Sequence, residues 1–165
     1  SWAKDPGIGS RMINARAETV AEKPSFRNAL AKRRCLIVAD GFFEWQKQPK
    51  GPKQPYYITA KDDEPFAFAG LWERWAATGK EPVQSCTIVT TEANAALKPI
   101  HDRMPVMLSP DRFEAWLDVD GWPSERAVEL LKPFPAVRMV MVAVSTRVNS
   151  VKNDVPVCIA LLSDG

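Results

Sequence analysis

The sequence predicts an α+β domain, a largely antiparallel, barrel-like curled sheet with short flanking helices. Two observations carry this. Fourteen prolines and eight glycines are spread along the 165 residues and cut the chain into short elements. Stretches rich in β-branched and aromatic residues follow one another without regular helical crossovers, which argues for antiparallel pairing and against a doubly wound fold. The length suits one hydrophobic core, so residues 1–165 read as a single domain.

Residues 1–16 read as irregular chain that becomes extended near Met12–Ala15. Ser25 is placed to cap a helix over Phe26–Arg33, and Lys32, Arg33 and Arg34 put positive charge at its C-terminal end, as the helix dipole favours. Cys35–Ala39 is a short β-rich run, and Asp40-Gly41 signals a turn. Gly41–Lys47 then alternates, with Phe42, Glu44 and Gln46 on one face and Phe43 and Trp45 on the other. A Pro/Gly/Lys loop at Gln48–Pro55 leads to strands at Tyr56–Ala60, Phe66–Trp75 and Ser85–Thr91. A helical turn at Ala93–Leu97 and an extended Met104–Leu108 follow. Ser109-Pro110-Asp111 offers a cap, a first-position proline and a first-turn acid, so a helix runs from there towards Leu117. A second helix begins near Pro123 and ends before Pro133. Val137–Val144 reads as a buried strand, and Val155–Leu162 as the strand that closes the sheet.

Composition narrows the function classes. The 22 basic and 20 acidic residues leave a net charge of +2, too balanced to mark a nucleic-acid binder. A basic groove must come from local clustering, for which Arg11, Arg16, Arg33, Arg34 and Arg103 are candidates; solvated surface charge is the plain alternative for each. No apolar run reaches the ~18–20 residues of a membrane span. No signal-peptide pattern is visible, so the expected location is cytoplasmic and no membrane partner is expected. Cys35, Cys86 and Cys158 are widely spaced without a CxxC pair, which argues against zinc. Each sits in an apolar stretch, so buried free thiols in a reducing compartment are expected. No metal or cofactor is expected.

Three segments hold side chains suited to chemistry. His101, the only histidine, lies between Pro99 and Pro105, beside Asp102 and two residues from Arg103. An imidazole on a constrained loop exchanges a proton near neutral pH; a structural histidine is the alternative. Glu44 lies among aromatics in a strand, where glutamate is disfavoured. If its face is inward, burial raises its pKa and makes it an acid or a proton shuttle; if outward, it is simply solvated. Asn14, Arg16 and Glu18 share one face of an extended segment. There the guanidinium suits a phosphate and the amide a hydroxyl or ring oxygen, or all three bond to a loop that leads into a helix. Thr90, Thr91 and Asn94 end a strand, where phosphate donation and helix capping explain them equally well. Most aromatics belong in the core; Trp2, beside the candidate groove, is the exception expected to stack on a base.

Taken in order, Ser1-Trp2-Ala3-Lys4, Arg11-Met12-Ile13-Asn14-Ala15-Arg16-Ala17-Glu18-Thr19, Arg34-Cys35-Leu36-Ile37, Gly41-Phe42-Phe43-Glu44-Trp45, Ala69-Gly70-Leu71-Trp72-Glu73 and Ile100-His101-Asp102-Arg103-Met104-Pro105 resemble the SRAP family of SOS response-associated peptidases, also known as abasic-site processing proteins. The resemblance spans the whole chain. It implies a DNA-repair protein of lyase or peptidase class whose partner is single-stranded DNA containing abasic sites. In the family an N-terminal cysteine attacks the open sugar's C1′ aldehyde with both amine and thiol and closes a thiazolidine ring. Peptidase-like self-processing is linked to the same machinery.

By motif position the resemblance implies that Asn14 orients the cysteine and the sugar-derived part of the adduct. Glu44 shuttles protons, and His101 assists sugar ring opening and cross-link reversal. Arg16 and Arg103, helped by Thr90 and Trp2, hold the DNA. The chain departs from the family at its start: the Met-Cys-Gly-Arg opening is absent, and Ser1-Trp2 matches the middle of a family motif. The expectation is that an N-terminal segment of several dozen residues is missing, and that the chain as written does not form the thiazolidine. Ser1 as an N-terminal nucleophile is discounted for the same reason. Two other classes compete: a non-catalytic single-stranded-DNA-binding module and a thiol peptidase acting on other proteins.

Overall fold

The computed structural model describes residue 9 and residues 12–61, 65–76 and 81–162. Along them run β1 (Asn14–Arg16), α1 (Arg27–Lys32), β2 (Arg34–Ala39), β3 (Phe42–Gln46), β4 (Gln54–Ala60), β5 (Phe66–Trp75), β6 (Val83–Glu92), β7 (Arg103–Pro105), β8 (Met107–Leu108), α2 (Phe113–Leu117), α3 (Ser124–Ala127) and β9 (Met139–Ala143). This is the α+β class expected, with two largely antiparallel sheets curled towards a half-barrel.

The period-two pattern of β5 explains the layering. Phe66 and Phe68 face a core between the two sheets, while Ala69 and Leu71 face a second core under the helices. A strand buried on both faces reads as a continuous apolar run, as the first half of β5 does. Among the described residues six strands form the larger sheet, in the order β1-β6-β5-β2, with β7 on β6 and β8 on β5. β7 and β8 enter where β5 and β6 part. Between them Val106 donates its N–H to Val89 O at 2.8 Å and accepts from Ala69 N–H at 2.9 Å. β1 joins β6 in parallel, pairing Asn14 with Ile88 and Arg16 with Thr90. The smaller sheet is β3-β4-β9, antiparallel throughout.

Under the helices, the side chains of Leu30 and Trp116 are fully buried, each contributing about 1.5–3 kcal/mol by leaving water. Trp116 donates its indole N–H to Cys35 O at 2.9 Å, which fixes α2 against β2. Gly70 has a steric reason: a Cβ there would lie 2.8 Å from Cys35 Sγ and 2.9 Å from the Ile37 side chain. Gly41 has another, because the Tyr57 ring occupies the place of its Cβ.

Several expectations are corrected. Ser25 makes no capping bond; α1 grows out of a turn in which the Phe26 and Arg27 N–H groups both donate to Lys23 O. Likewise, the Ser109 hydroxyl donates to Asp111 rather than capping backbone, and the first turn there is a 3-10 helix, Pro110–Arg112, before α2. Residues Ala136–Arg138 form a 3-10 turn after Pro135, so β9 starts only at Met139, and of its residues only Met139 is buried. The apolar stretch Val155–Leu162 does not add a strand. Pro156 starts a 3-10 turn, Pro156–Cys158, and only the Leu161 bridge to Val144 joins the stretch to the smaller sheet. Its side chains at Val155, Val157, Ile159, Leu161 and Leu162 stay exposed. Of the three thiols, all free, Cys158 is buried, Cys35 half-buried and Cys86 exposed, so apolar flanks misplace Cys86.

Candidate functional site

Phe42 settles which way Glu44 faces. Its ring meets Phe68 edge-on at 5.7 Å inside the inter-sheet core. Alternation then turns Glu44 and Gln46 to the same, inter-sheet side of the strand, both half-buried. Glu44 is half-buried, and desolvation pushes its carboxyl above the usual glutamate range. His101 and Lys53 pull it back down, and Asp102 adds to the rise. A carboxyl and an imidazole far apart in sequence therefore share one electrostatic environment.

A framework of local hydrogen bonds holds the His101 loop. Asn94 Oδ1 accepts from Ala96 N at 3.1 Å and Leu97 N at 2.9 Å, capping a turn whose later N–H groups, at Ile100 and His101, both donate to Leu97 O. Asn94 Nδ2 donates to Phe134 O at 2.7 Å, which anchors the turn to the inter-sheet core. Capping is thus what Asn94 does. From the opposite wall, Gln46 Nε2 donates to Pro99 O at 3.2 Å.

His101 is about half exposed, with 42% of its side-chain surface accessible. Its Nδ1 accepts the Arg103 backbone N–H at 3.0 Å. In the neutral ring this leaves the proton on Nε2. Once the ring is doubly protonated, Nδ1 becomes a donor, and Arg103 O at 3.1 Å and Asp102 Oδ1 at 3.4 Å are placed to accept. Both protonation states have partners, as a group that gives and takes a proton needs.

Along the rim, Asn14 and Arg16 are exposed on either side of buried Ala15. Asn14 pairs with Ile88, whose side chain packs against the inter-sheet core, so Asn14 and Arg16 sit on the inter-sheet face of the sheet. Among the described residues, neither side chain has a hydrogen-bond partner. Arg103 is different. Its two terminal nitrogens take Glu18 bidentately, at 2.6 and 3.0 Å, and NH2 also reaches Thr90 O at 2.7 Å and Thr90 Oγ1 at 3.2 Å. Thr90 Oγ1 lies 3.4 Å from Ala15 O, so Thr90 knits β1 to the start of β7.

Other basic candidates lie elsewhere. Arg33 pairs with Glu73 at 2.9 Å. Arg34 is buried under the helices, donating to Asp118 O at 2.6 Å and Trp122 O at 2.7 Å, with its guanidinium over Trp116. Thr91 is buried. Trp2 and Arg11 lie outside the described residues. Among the described residues no group of three or more His, Cys, Asp or Glu side chains is placed to hold a metal ion.

Residues 1–151 match the family model described as SOS response associated peptidase (SRAP). The chain belongs to the SRAP family. It is 47% identical over 153 residues to "Abasic site processing protein YoaM" of Bacillus subtilis, an alignment covering 93% of this chain and 67% of that protein. It is 36% identical over 189 residues to "Abasic site processing protein HMCES" of Gallus gallus, covering 100% of this chain and 55% of that protein. A crystal structure of a protein from Bacteroides thetaiotaomicron superposes with a TM-score of 0.89 at 31% identity, over 98% of this chain and 72% of that one.

In this SRAP domain the structure brings Glu44 and His101 within electrostatic reach of each other, with Asn14, Arg16, Thr90 and Arg103 gathered along β1, β6 and β7. Sequence reasoning leaves out Lys53, whose charge acts on Glu44 from the Pro/Gly/Lys loop, and Gln46, which ties the walls together. Gln46 was findable, because it shares Glu44's face. Lys53 carries no such signal, since a loop lysine is solvated by default.

Proposed function

We propose that this SRAP chain acts on abasic sites in single-stranded DNA and carries the proton-transfer half of a covalent cross-linking site. The observation that carries the reading is the shared electrostatic environment of Glu44 and His101, with Asn14 and Arg16 exposed on the inter-sheet face and, among the described residues, without a side-chain hydrogen bond. The names of the relatives, abasic site processing proteins, support the substrate.

The reaction needs an amine and a thiol on adjacent carbons, which in this reading an N-terminal cysteine supplies. The amine adds to the C1′ aldehyde carbon, and water leaves to give an imine. The thiol then gives up its proton, its sulfur adds to the same carbon of the protonated imine, the nitrogen takes the C=N π pair, and a thiazolidine ring closes. Each step moves protons. Glu44, whose pKa burial raises, gives one to the departing hydroxyl and takes one from the thiol. His101 assists opening of the sugar ring, which exposes the aldehyde, and reversal of the cross-link. Asn14 orients the cysteine and the sugar-derived hydroxyls. Arg16 takes a flanking phosphate, with Arg103, Thr90 and Trp2 completing the DNA contact. Self-processing that frees the cysteine uses the same acid and imidazole on a peptide bond.

The test is a full-length protein mixed with three DNAs: an aldehyde-bearing single strand, the same lesion in a duplex, and an intact single strand. A heat-stable adduct on the first alone supports the reading. No adduct on any of them overturns it, and salt-sensitive binding with no preference for the lesion points instead to a plain single-strand-binding module.

A further inference from the structure

Glu18 interacts with both arginines that the proposed function assigns to phosphate. Its carboxylate takes both terminal nitrogens of Arg103 and lies within the field of Arg16. The Arg103 side chain is four-fifths buried, while half of the Glu18 side chain is accessible, so the carboxylate is the outer partner. Arg103 NH2 is spent on Glu18 and Thr90, but NH1 gives one of its two protons to Glu18 and keeps the other. Among the described residues the remaining nitrogen, Nε, is buried without a partner, so the second NH1 proton is the donor that the pairing with Glu18 leaves over. The backbone of the same residue bonds His101 Nδ1, so the orientation of Arg103 and that of the imidazole are linked.

We infer that Glu18 is a positioning and specificity-determining residue: it aims the remaining Arg103 donor along the rim and cancels one of the two positive charges there. With Arg16, Arg103 and Glu18 together the rim carries a single net positive charge. Attraction to the phosphate backbone, which intact and damaged strands share, is therefore weak, and preference for the damaged strand depends on contacts to the opened sugar. This rests on the abasic-site reading above.

The experiment measures equilibrium binding of the full-length protein and of Glu18→Gln to two labelled single strands, one intact and one carrying a borohydride-reduced abasic site, whose sugar is held open, over a range of salt. Glu18→Gln is expected to bind the intact strand severalfold more tightly than wild type. It also steepens the salt dependence by about 0.7 in log–log slope, one more phosphate neutralised. The ratio of abasic to intact affinity falls towards one. Glu18→Asp keeps the charge and is expected to retain most of the wild-type ratio. Unchanged or weaker binding of the intact strand by Glu18→Gln, with an unchanged melting temperature, overturns the inference. If wild type fails to prefer the abasic strand, the abasic-site reading fails instead, and the two failures are read from different columns of the same data.

Discussion

The side-chain amide of Gln46 donates to the carbonyl oxygen of Pro99 at 3.2 Å, and so fastens the Glu44 strand to the loop that carries His101. Gln46 is itself held from behind, since its Oε1 lies 3.3 Å from the Tyr56 hydroxyl and 3.1 Å from Gln48 Nε2. The bond is exposed, so it adds only about 0.5–1.5 kcal/mol to stability. Its geometric effect is larger, because displacement of a reacting group by an ångström costs as much as ~100-fold in rate. Gln46→Ala is therefore expected to melt close to wild type and to form the adduct at least tenfold more slowly in single-turnover assays. A large loss of stability with an unchanged rate would show that the bond serves the fold alone.

Glu44 makes a pH-dependent prediction. Burial raises its folded-state pKa above the unfolded value, so the folded state holds the proton more tightly. The associated stability is fully present below the unfolded value and is lost as pH rises through the folded one. At neutral pH the charged carboxylate is thus a cost that Glu44→Gln removes. Urea unfolding should find Glu44→Gln more stable than wild type at pH 7, with the gap shrinking as pH falls to 4. The same variant should form the adduct about 10²–10⁴-fold more slowly, as loss of a general acid–base group does. A gap that widens on acidification would contradict the buried placement.

Asn94 couples the fold to the site. Its side chain caps two N–H groups of the His101 turn and donates to Phe134 O. Asn94→Ala is expected to cost about 1–3 kcal/mol. Because the turn is released as well, the adduct rate should fall even at temperatures where the variant is fully folded, which circular dichroism and single-turnover assays together establish. Asn94→Asp keeps the capping oxygen but not the donor to Phe134, and should recover part of the rate.

Arg34 tests the assignment of basic residues. It lies under the helices, where it holds the carbonyls of Asp118 and Trp122. Arg34→Met leaves those two carbonyls without their donor and is expected to cost about 2–4 kcal/mol. Affinity for single-stranded DNA, measured below the melting transition, should not change. Arg16→Ala should do the reverse, weakening binding and lowering the salt slope while leaving the melting temperature within a degree or two.

Much of this architecture is legible in the residues, and the exceptions have physical causes. An apolar, aromatic-rich run marks β5 to its terminal residues, Phe66 and Trp75, because its first half lies between two cores and is apolar on both faces. Period two likewise places Asn14 and Arg16 on one face. Glu44 shows the limit of the same rule. Alternation groups it with Phe42 but cannot say which face is inward, and that is decided by the distant Phe68 ring. Arg103 shows another. Its partner, Glu18, is 85 residues away in the chain, and only the approach of β1 and β7 to β6 brings them together. Val155–Leu162 has the composition of a strand, yet a proline at its second position and few partners leave it largely unpaired.

The measurement that bears most directly on this account is the single-turnover rate of heat-stable adduct formation on an aldehyde-bearing single strand, by full-length wild type, Glu44→Gln and His101→Ala, with binding saturated. The account predicts a slow adduct in both variants, with affinity for a tetrahydrofuran-containing strand kept within a few fold. Adduct formation at the wild-type rate in both variants would contradict it, because Glu44 and His101 would then have no part in the chemistry.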